Sequence, residues 1–295
     1  IQREVESGED NKAGRPKRIL SVLTPLFLSR LADISDEQKR TLVQILNNRI
    51  RTKDLQFYMR DRALEMYLQM LGVGGDVYAP ETTDYDDYFA FVRANIAGGK
   101  TDVLIDETVT LDSTVNADGT VHNIATISRA HNGDKELGWW YRMANRLFFQ
   151  VLTPYDSSLV AINGDDQSAT PTVKRETYAS DADVSAIEST LQFPATHVEQ
   201  FSQFGKTTFA GWFTVPVGSA KKLTLEYDLP QHITLEDGTR YRIVIERQSG
   251  SHEKFRYALH APFGFIWKEN NAHDFLFASD DLDGRTMLTA TLGKQ

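Results

Sequence analysis

The chain has 295 residues, 32 Lys and Arg against 41 Asp and Glu, and no cysteine, so its formal net charge is 32 − 41 = −9. With 41% hydrophobic and 25% charged residues it is a folded globular protein, long enough for about two domains, and disorder over most of its length is excluded. The missing cysteine removes disulfides, thiolate metal sites, iron–sulfur clusters and any cysteine nucleophile. Residues 1–15 are polar and read as a linker or tail. Pro16 suits the first turn of a helix whose apolar stripe is Ile19, Leu20, Val22, Leu23, Leu26, Phe27 and Leu31, with Pro25 a candidate kink. Ser35 and Gln38 make a capping box ahead of Leu42, Val43, Ile45, Leu46 and Ile50. Leu55, Phe57 and Met59 alternate as a short strand would, and Asp61 caps a third helix that Gly72 stops. Residues 16–80 are therefore expected to be a helical segment.

After Gly75 the period changes from 3.6 to 2. Val103, Ile105, Val109 and Leu111 alternate, and Asp118-Gly119 supplies a hairpin turn before a strand from Val121 to Ile127. The same alternation returns around Phe209–Val215, Leu223–Leu229, Tyr241–Ile245 and Phe255–Leu259. The expected class is α+β: an N-terminal helical segment, then a predominantly antiparallel β-sandwich region holding one or two immunoglobulin-like sandwiches. The expected boundaries are a first β region at 81–165, a polar linker at 166–190 and a second β-sandwich region at 191–295.

Charge is unevenly spread. Residues 1–80 carry 13 basic and 11 acidic side chains, leaving 19 and 30 for the rest, a net of −11. An acidic body lacks the clustered basic surface that phosphate backbones require, so nucleic acid is not an expected partner. No run of about 18 apolar residues spans a bilayer. The chain opens on Ile1 and reads as a piece of a longer protein, so a membrane contact is expected only through a missing N-terminal anchor.

Several motifs invite chemistry. Ala94, then Gly99-Lys100-Thr101, fits a relaxed phosphate-binding loop, but a strand pattern follows where a helix is needed, so a Gly-Gly turn between two strands is expected. Asp280, Asp281 and Asp283 cluster as a weak calcium site would, against the reading of an Asp-Gly turn joining two strands. Asp84, Asp86 and Asp87 read as a solvated loop with a weak cation site as the minor alternative. The seven histidines never take the paired spacing of a zinc helix, and Gln248 to His252 reads as a hairpin loop. Trp139, Trp140 and Tyr141 could stack on a sugar or pack in a core. No catalytic residue is assigned and no cofactor is called for.

An ordered set of segments nonetheless carries a resemblance. It runs through Lys53-Asp54-Leu55-Gln56-Phe57-Tyr58, Gly72-Val73-Gly74-Gly75, Asn95 with Gly99-Lys100-Thr101-Asp102, and Leu152-Thr153-Pro154-Tyr155 with Leu159. It continues in Gly211-Trp212-Phe213 with Val215-Pro216-Val217-Gly218, Tyr227-Asp228-Leu229-Pro230, and Tyr241-Arg242-Ile243 with Gln248-Ser249-Gly250. Over residues 16–262 the chain resembles the C-terminal part of the bacterial domain of unknown function family four thousand and twelve. The resemblance implies an extracytoplasmic envelope protein with an upstream membrane anchor and an upstream module similar to LytR-CpsA-Psr cell-wall polymer transferases. It carries over no catalytic residue.

Three readings follow. The first is a non-catalytic envelope or cell-surface module that mediates structural or partner contacts, with envelope proteins or cell-wall glycans as partners. The second is a glycan- or wall-polymer-binding accessory of a polymer transferase, using Trp139, Trp140 and Tyr141. The third is a hydrolase with a triad assembled from distant loops. Fold class alone does not choose among them.

Overall fold

The computed structural model describes residues 1–79, 86–136, 138–167, 179, 181–190, 192–195 and 197–295. Residues 168–178 and 180 of the polar stretch at 166–190, and Asp84 of the acidic loop, lie outside the described residues. The chain divides into two compact units, Ile1–Ile50 and Arg51–Gln295.

The first unit is helical. Residues 1–15, expected as a tail, instead hold two short helices, α1 (Gln2–Ser7) and α2 (Glu9–Lys12), closed by local contacts such as Lys12 to Glu9. Pro16 stands in the turn ahead of α3 (Arg18–Ala32) rather than in its first turn, and Pro25 lies inside that helix. The capping box ahead of α4 (Asp36–Arg51) forms in both directions: Gln38 N donates to Ser35 Oγ at 3.3 Å, and Ser35 N donates to Gln38 Oε1 at 2.8 Å. Neither α3 nor α4 has a buried residue.

The second unit opens with a loop where the alternation of Leu55, Phe57 and Met59 suggests a strand. No strand forms there; Phe57 N donates once, to Val73 O. The likeness to a strand was local, and no ladder neighbour is available to complete it. Asp61 caps α5 (Arg62–Met70) by accepting from Ala63 N and Leu64 N, each at 3.0 Å.

Among the described residues fourteen strands follow: β1 (Asp86–Asn95), β2 (Ile105–Val115), β3 (Val121–His131), β4 (Asn145–Pro154), β5 (Ser158–Asn163), β6 (Gln192–Ala195), β7 (Val198–Gln203), β8 (Lys206–Val215), β9 (Ala220–Asp228), β10 (Arg240–Arg247), β11 (Lys254–His260), β12 (Phe265–Trp267), β13 (Asp274–Ser279) and β14 (Arg285–Lys294). A short helix, α6 (Ala182–Glu188), precedes β6. One sheet has the order β12-β14-β10-β1-β4-β8-β7-β6, the other β13-β11-β2-β3-β9-β5. Pairing is antiparallel except for β1 with β10 and β2 with β11. The early and late strands thus interleave in both sheets.

One core lies between the sheets. Alternate residues are buried along the whole of β3 and from Glu107 to Val115 in β2, as a half-buried strand requires. Phe89 of one sheet meets Phe255 of the other at 5.9 Å between ring centroids, and Phe209 meets Tyr227 at 6.3 Å. The β2–β3 hairpin turns at Asp118-Gly119, where Gly119 has φ +85° and a Cβ would come within 2.3 Å of Ile233 O, so only glycine fits.

Three connections, two read as turns between strands and one as a hairpin loop, cross between the sheets. Residues 96–104, around the Gly-Gly pair, leave β1 in one sheet for β2 in the other; residues 248–253 join β10 to β11; residues 280–284 join β13 to β14. Turn chemistry marks where the chain reverses but not which sheet receives it. The first two crossovers stand side by side and build the cleft described next.

Candidate functional site

At the end of the sandwich where β1 leaves its sheet, the crossovers at 96–104 and 248–253 wall a cleft of about 420 Å³. β10 stops pairing with β1 at Arg247 opposite Phe91, and the Gln248 side chain then takes over as a surrogate strand. It accepts from Arg93 N at 2.8 Å and donates to Arg93 O at 3.0 Å. Arg93 is thereby fixed with its guanidinium in the cleft floor, 4.7 Å from the Phe91 ring centroid.

That guanidinium bridges two acids. It stands 3.0 Å from Glu107 Oε1 on β2 and 3.1 Å from Glu253 Oε2, both side chains almost wholly buried. Arg129 on β3 approaches Glu107 Oε2 through Nε at 2.8 Å and donates to Asn145 Oδ1 at 2.7 Å. Glu107 is therefore close to two cations, yet neither of its oxygens accepts an aligned hydrogen bond. Burial pushes the Glu107 carboxyl above its ordinary value, outweighing Arg93 and Arg129. Burial likewise pulls the Arg129 guanidinium down, against Glu107. Burial also acts on Glu253, but there Arg93 and the Ser251 hydroxyl win and hold its carboxyl below the usual range.

The Gly-Lys-Thr motif serves this floor and not a phosphate. Only a four-residue 3-10 turn, Thr101–Leu104, follows it before β2. Thr101 Oγ1 is buried, donating to Gly98 O at 2.8 Å and accepting from Asn145 Nδ2 at 2.9 Å and Asn95 Nδ2 at 3.1 Å. The Lys100 amide, which would face a phosphate, donates to Trp140 O at 2.8 Å.

The aromatic trio packs against the outside of the cleft wall. Trp139–Tyr141 form a 3-10 turn in contact with the Thr101–Leu104 turn, whose Asp102 and Val103 face the cleft. Trp139 is 58% exposed while Trp140 is 7% exposed, and the two rings stack edge to face at 5.9 Å. Tyr141 is half-buried against Trp140 at 5.8 Å. Of the three, Trp139 alone presents its ring to solvent, so a platform of two indoles does not form.

The other candidates are placed as follows. Asp280 pairs with Arg256 at 2.6 Å, Asp281 with Arg51 at 2.7 Å and Arg247 at 3.2 Å, and Asp283 with Arg51. Hydrogen bonds from Arg256 and Arg51 hold the Asp280 and Asp281 carboxyls below the usual range, so a calcium ion would have to displace guanidinium partners. Asp87 lies in the sandwich interior, not in a solvated loop. Tyr241 Oη donates to it at 2.5 Å and Asn123 Nδ2 at 3.2 Å, yet burial pushes its carboxyl up to about 6.

Two groupings escaped the sequence reading. Glu246 on β10 accepts from Lys53 Nζ at 2.7 Å, Arg285 Nε at 2.8 Å, Tyr88 Oη at 2.6 Å and Tyr78 N at 3.0 Å, on the outer face of the eight-stranded sheet. His260, His273 and Asp274 bring three metal-capable atoms within 4.8 Å of one another. The partners in each grouping are far apart in sequence or on neighbouring strands, where no spacing rule would find them.

No family model and no curated protein matches the chain. Among solved structures it is similar to a candidate nutrient-binding protein from Legionella pneumophila, at 9% identity and a TM-score of 0.38 over 71% of this chain and 72% of that one. It is also similar to a two-domain M1 zinc metallopeptidase bound to L-tryptophan (10% identity, TM-score 0.29, 63% of this chain and 42% of that one). An M1 zinc metallopeptidase from Deinococcus radiodurans gives 13% identity and a TM-score of 0.24 over 63% and 38%. The chain spans less than half of each peptidase, and likenesses this distant carry no argument about function.

Proposed function

We propose that this chain is a non-catalytic contact module of the bacterial cell envelope, and that the end cleft is where it takes an uncharged polar ligand of the cell-wall glycan class. The observation that carries this reading is Arg93, whose guanidinium bridges Glu107 and Glu253. Two acids with carboxyls shifted in opposite senses would suit acid–base chemistry if a substrate bond lay between them. Here a cation fills that place, and the floor is a fixed array of donors and acceptors. Such an array suits hydroxyl groups, and the exposed indole of Trp139 beside the wall offers an apolar face to a sugar ring. The envelope setting rests on the resemblance set out above, as does an anchor upstream. Among the described residues no helix is long and apolar enough to cross a membrane.

The test is a binding screen of the whole chain against purified wall polymers and glycans. Saturable binding that weakens in both Trp139→Ala and Arg93→Gln, with each variant shown to be folded, is the expected result. Turnover of any of these substrates, abolished by Glu107→Gln, would replace the contact module with a hydrolase using Glu107 and Glu253. Binding unaffected by either substitution would remove the cleft from the reading.

A further inference from the structure

His260 ends β11 and Asp274 begins β13, and the two are direct partners across the antiparallel ladder. From His260 the chain leaves the six-stranded sheet, contributes β12 to the other sheet, and returns at His273. Both histidines turn Nδ1 onto one oxygen of Asp274, at 2.8 Å for His260 and 3.0 Å for His273. The backbone beneath is fixed: Ala261 N donates to His273 O at 3.0 Å, and Asn270 Nδ2 donates to Asp274 O at 2.7 Å. Two imidazole nitrogens and a carboxylate oxygen therefore converge at the point where the excursion closes.

We infer that His260, His273 and Asp274 form a binding site for a zinc-class divalent transition ion, with one coordination position left open to water. Imidazole nitrogen with a carboxylate oxygen is a zinc donor set, whereas calcium and magnesium take oxygen alone. Bonds of about 2.0–2.1 Å in a tetrahedron place ligand atoms roughly 3.3 Å apart. The 2.8 and 3.0 Å separations need to open by a few tenths of an ångström, and the two histidine nitrogens, within 4.8 Å of one another, have to settle to the same spacing by side-chain rotation. All three side chains are partly exposed, so an ion can enter without unfolding, and the open position faces solvent. A bound ion would fasten both ends of the excursion to the edge strand β13 and so stabilise the closure of the sandwich at that edge. The site shares no residue with the end cleft and stands independently of the contact-module reading.

The probe is zinc chloride, titrated against the whole chain and followed by competition with a chromophoric chelator and by thermal unfolding. One ion per chain is expected, with a rise in Tm on saturation. His260→Ala, His273→Ala and Asp274→Asn should each weaken binding by at least the roughly 10- to 100-fold that loss of even an outer-shell partner costs. Their Tm without metal should stay close to the parent's, since the side chains are surface groups. His232→Ala, at an exposed histidine elsewhere, should bind zinc as the parent does. Failure to saturate, or saturation that survives all three site substitutions, would overturn the proposal.

Discussion

Glu246 and Glu107 are both buried, and each meets two cationic side chains, yet their carboxyls move in opposite directions. Burial acts against ionisation in both, but Glu246 ends below the usual range through Lys53, Tyr88 and the Tyr78 amide, while Glu107 ends above it. Two differences stand side by side: Glu253 adds a like charge that raises Glu107, and the donors around the two acids are aligned differently. Glu246 accepts four directed hydrogen bonds, whereas Glu107 has guanidiniums at ion-pair distance whose N–H bonds do not point along its lone pairs. A buried carboxylate is thus held low where a close cation and directed donors act together, as Lys53, Tyr88 and the Tyr78 amide do at Glu246. On the outer face of the eight-stranded sheet those bonds hold the two segments that carry Lys53 and Tyr78, on either side of α5, in place. In the cleft floor the lack of such bonds leaves an acid with unused acceptor capacity.

The largest effect should come from breaking the settled acid. Glu246→Gln leaves Lys53, itself 7% exposed, and Arg285 facing an amide, which fits the case of a buried pair robbed of one partner. Urea unfolding near neutral pH should show a loss of about 3–5 kcal/mol. A loss under about 1 kcal/mol would mean that the cluster relaxes and hydrates, and the contrast with Glu107 would fail.

Asp87 extends the comparison to an acid with directed donors but no cation. Its carboxyl, raised from 3.8 to about 6 in the fold, stabilises the folded state fully below about pH 4 and loses that contribution as pH rises through about 6. The wild type should therefore lose stability between these values, on the order of 3 kcal/mol at most. In Asp87→Asn that decline should vanish, leaving the variant the more stable of the two near pH 7. An unchanged pH slope in the variant would assign the decline to other groups.

The pH dependence of the two glutamates has opposite sign and provides a sharper test. Lowered in the fold, Glu246 stabilises above the ordinary glutamate value of 4.5, a contribution lost as pH falls through its folded value. Raised in the fold, Glu107 stabilises below 4.5 and loses that contribution as pH climbs. Subtracting each Gln variant from the parent across the acid range should give two curves of opposite slope. Parallel curves would show that alignment does not separate these sites.

What the sequence revealed was what its local chemistry closes. Ser35 with Gln38, Asp61 with the amides of Ala63 and Leu64, and Asp118-Gly119 each complete a motif within a few residues, and all three form. The predominantly antiparallel sandwich followed from alternation, which reports a buried face without naming the strand across from it. What stayed hidden depends on that missing information. The turns at Gly98-Gly99 and Asp283-Gly284 cross between sheets, Lys53 meets Glu246 across 193 positions, and His260 comes beside Asp274 and His273 only because β11 pairs with β13. Trp139 and Trp140 are adjacent and chemically identical, and only their surroundings in the fold make one exposed and the other buried. The end cleft was least legible of all, because its floor is drawn from β1, β2, β3 and the loop before β11.

The smallest effect should come from Glu107→Gln, and its smallness is the point. Glutamine keeps the shape of a protonated glutamate, and no directed hydrogen bond is lost with the charge. Arg93 retains Glu253 at 3.1 Å and Arg129 retains Asn145 at 2.7 Å, so neither cation is abandoned. The expected loss is below about 2 kcal/mol near neutral pH, clearly less than for Glu246→Gln. Ligand binding should respond more than stability does, because the substitution changes a carboxyl that faces the cleft into a group of fixed charge. If the cleft binds a hydroxyl-rich ligand through this acid, affinity in the parent should vary with pH and affinity in the variant should not. Equal stability losses for the two glutamates, with no change in pH-dependent binding, would return Glu107 to the ordinary structural ion pairs of the sandwich.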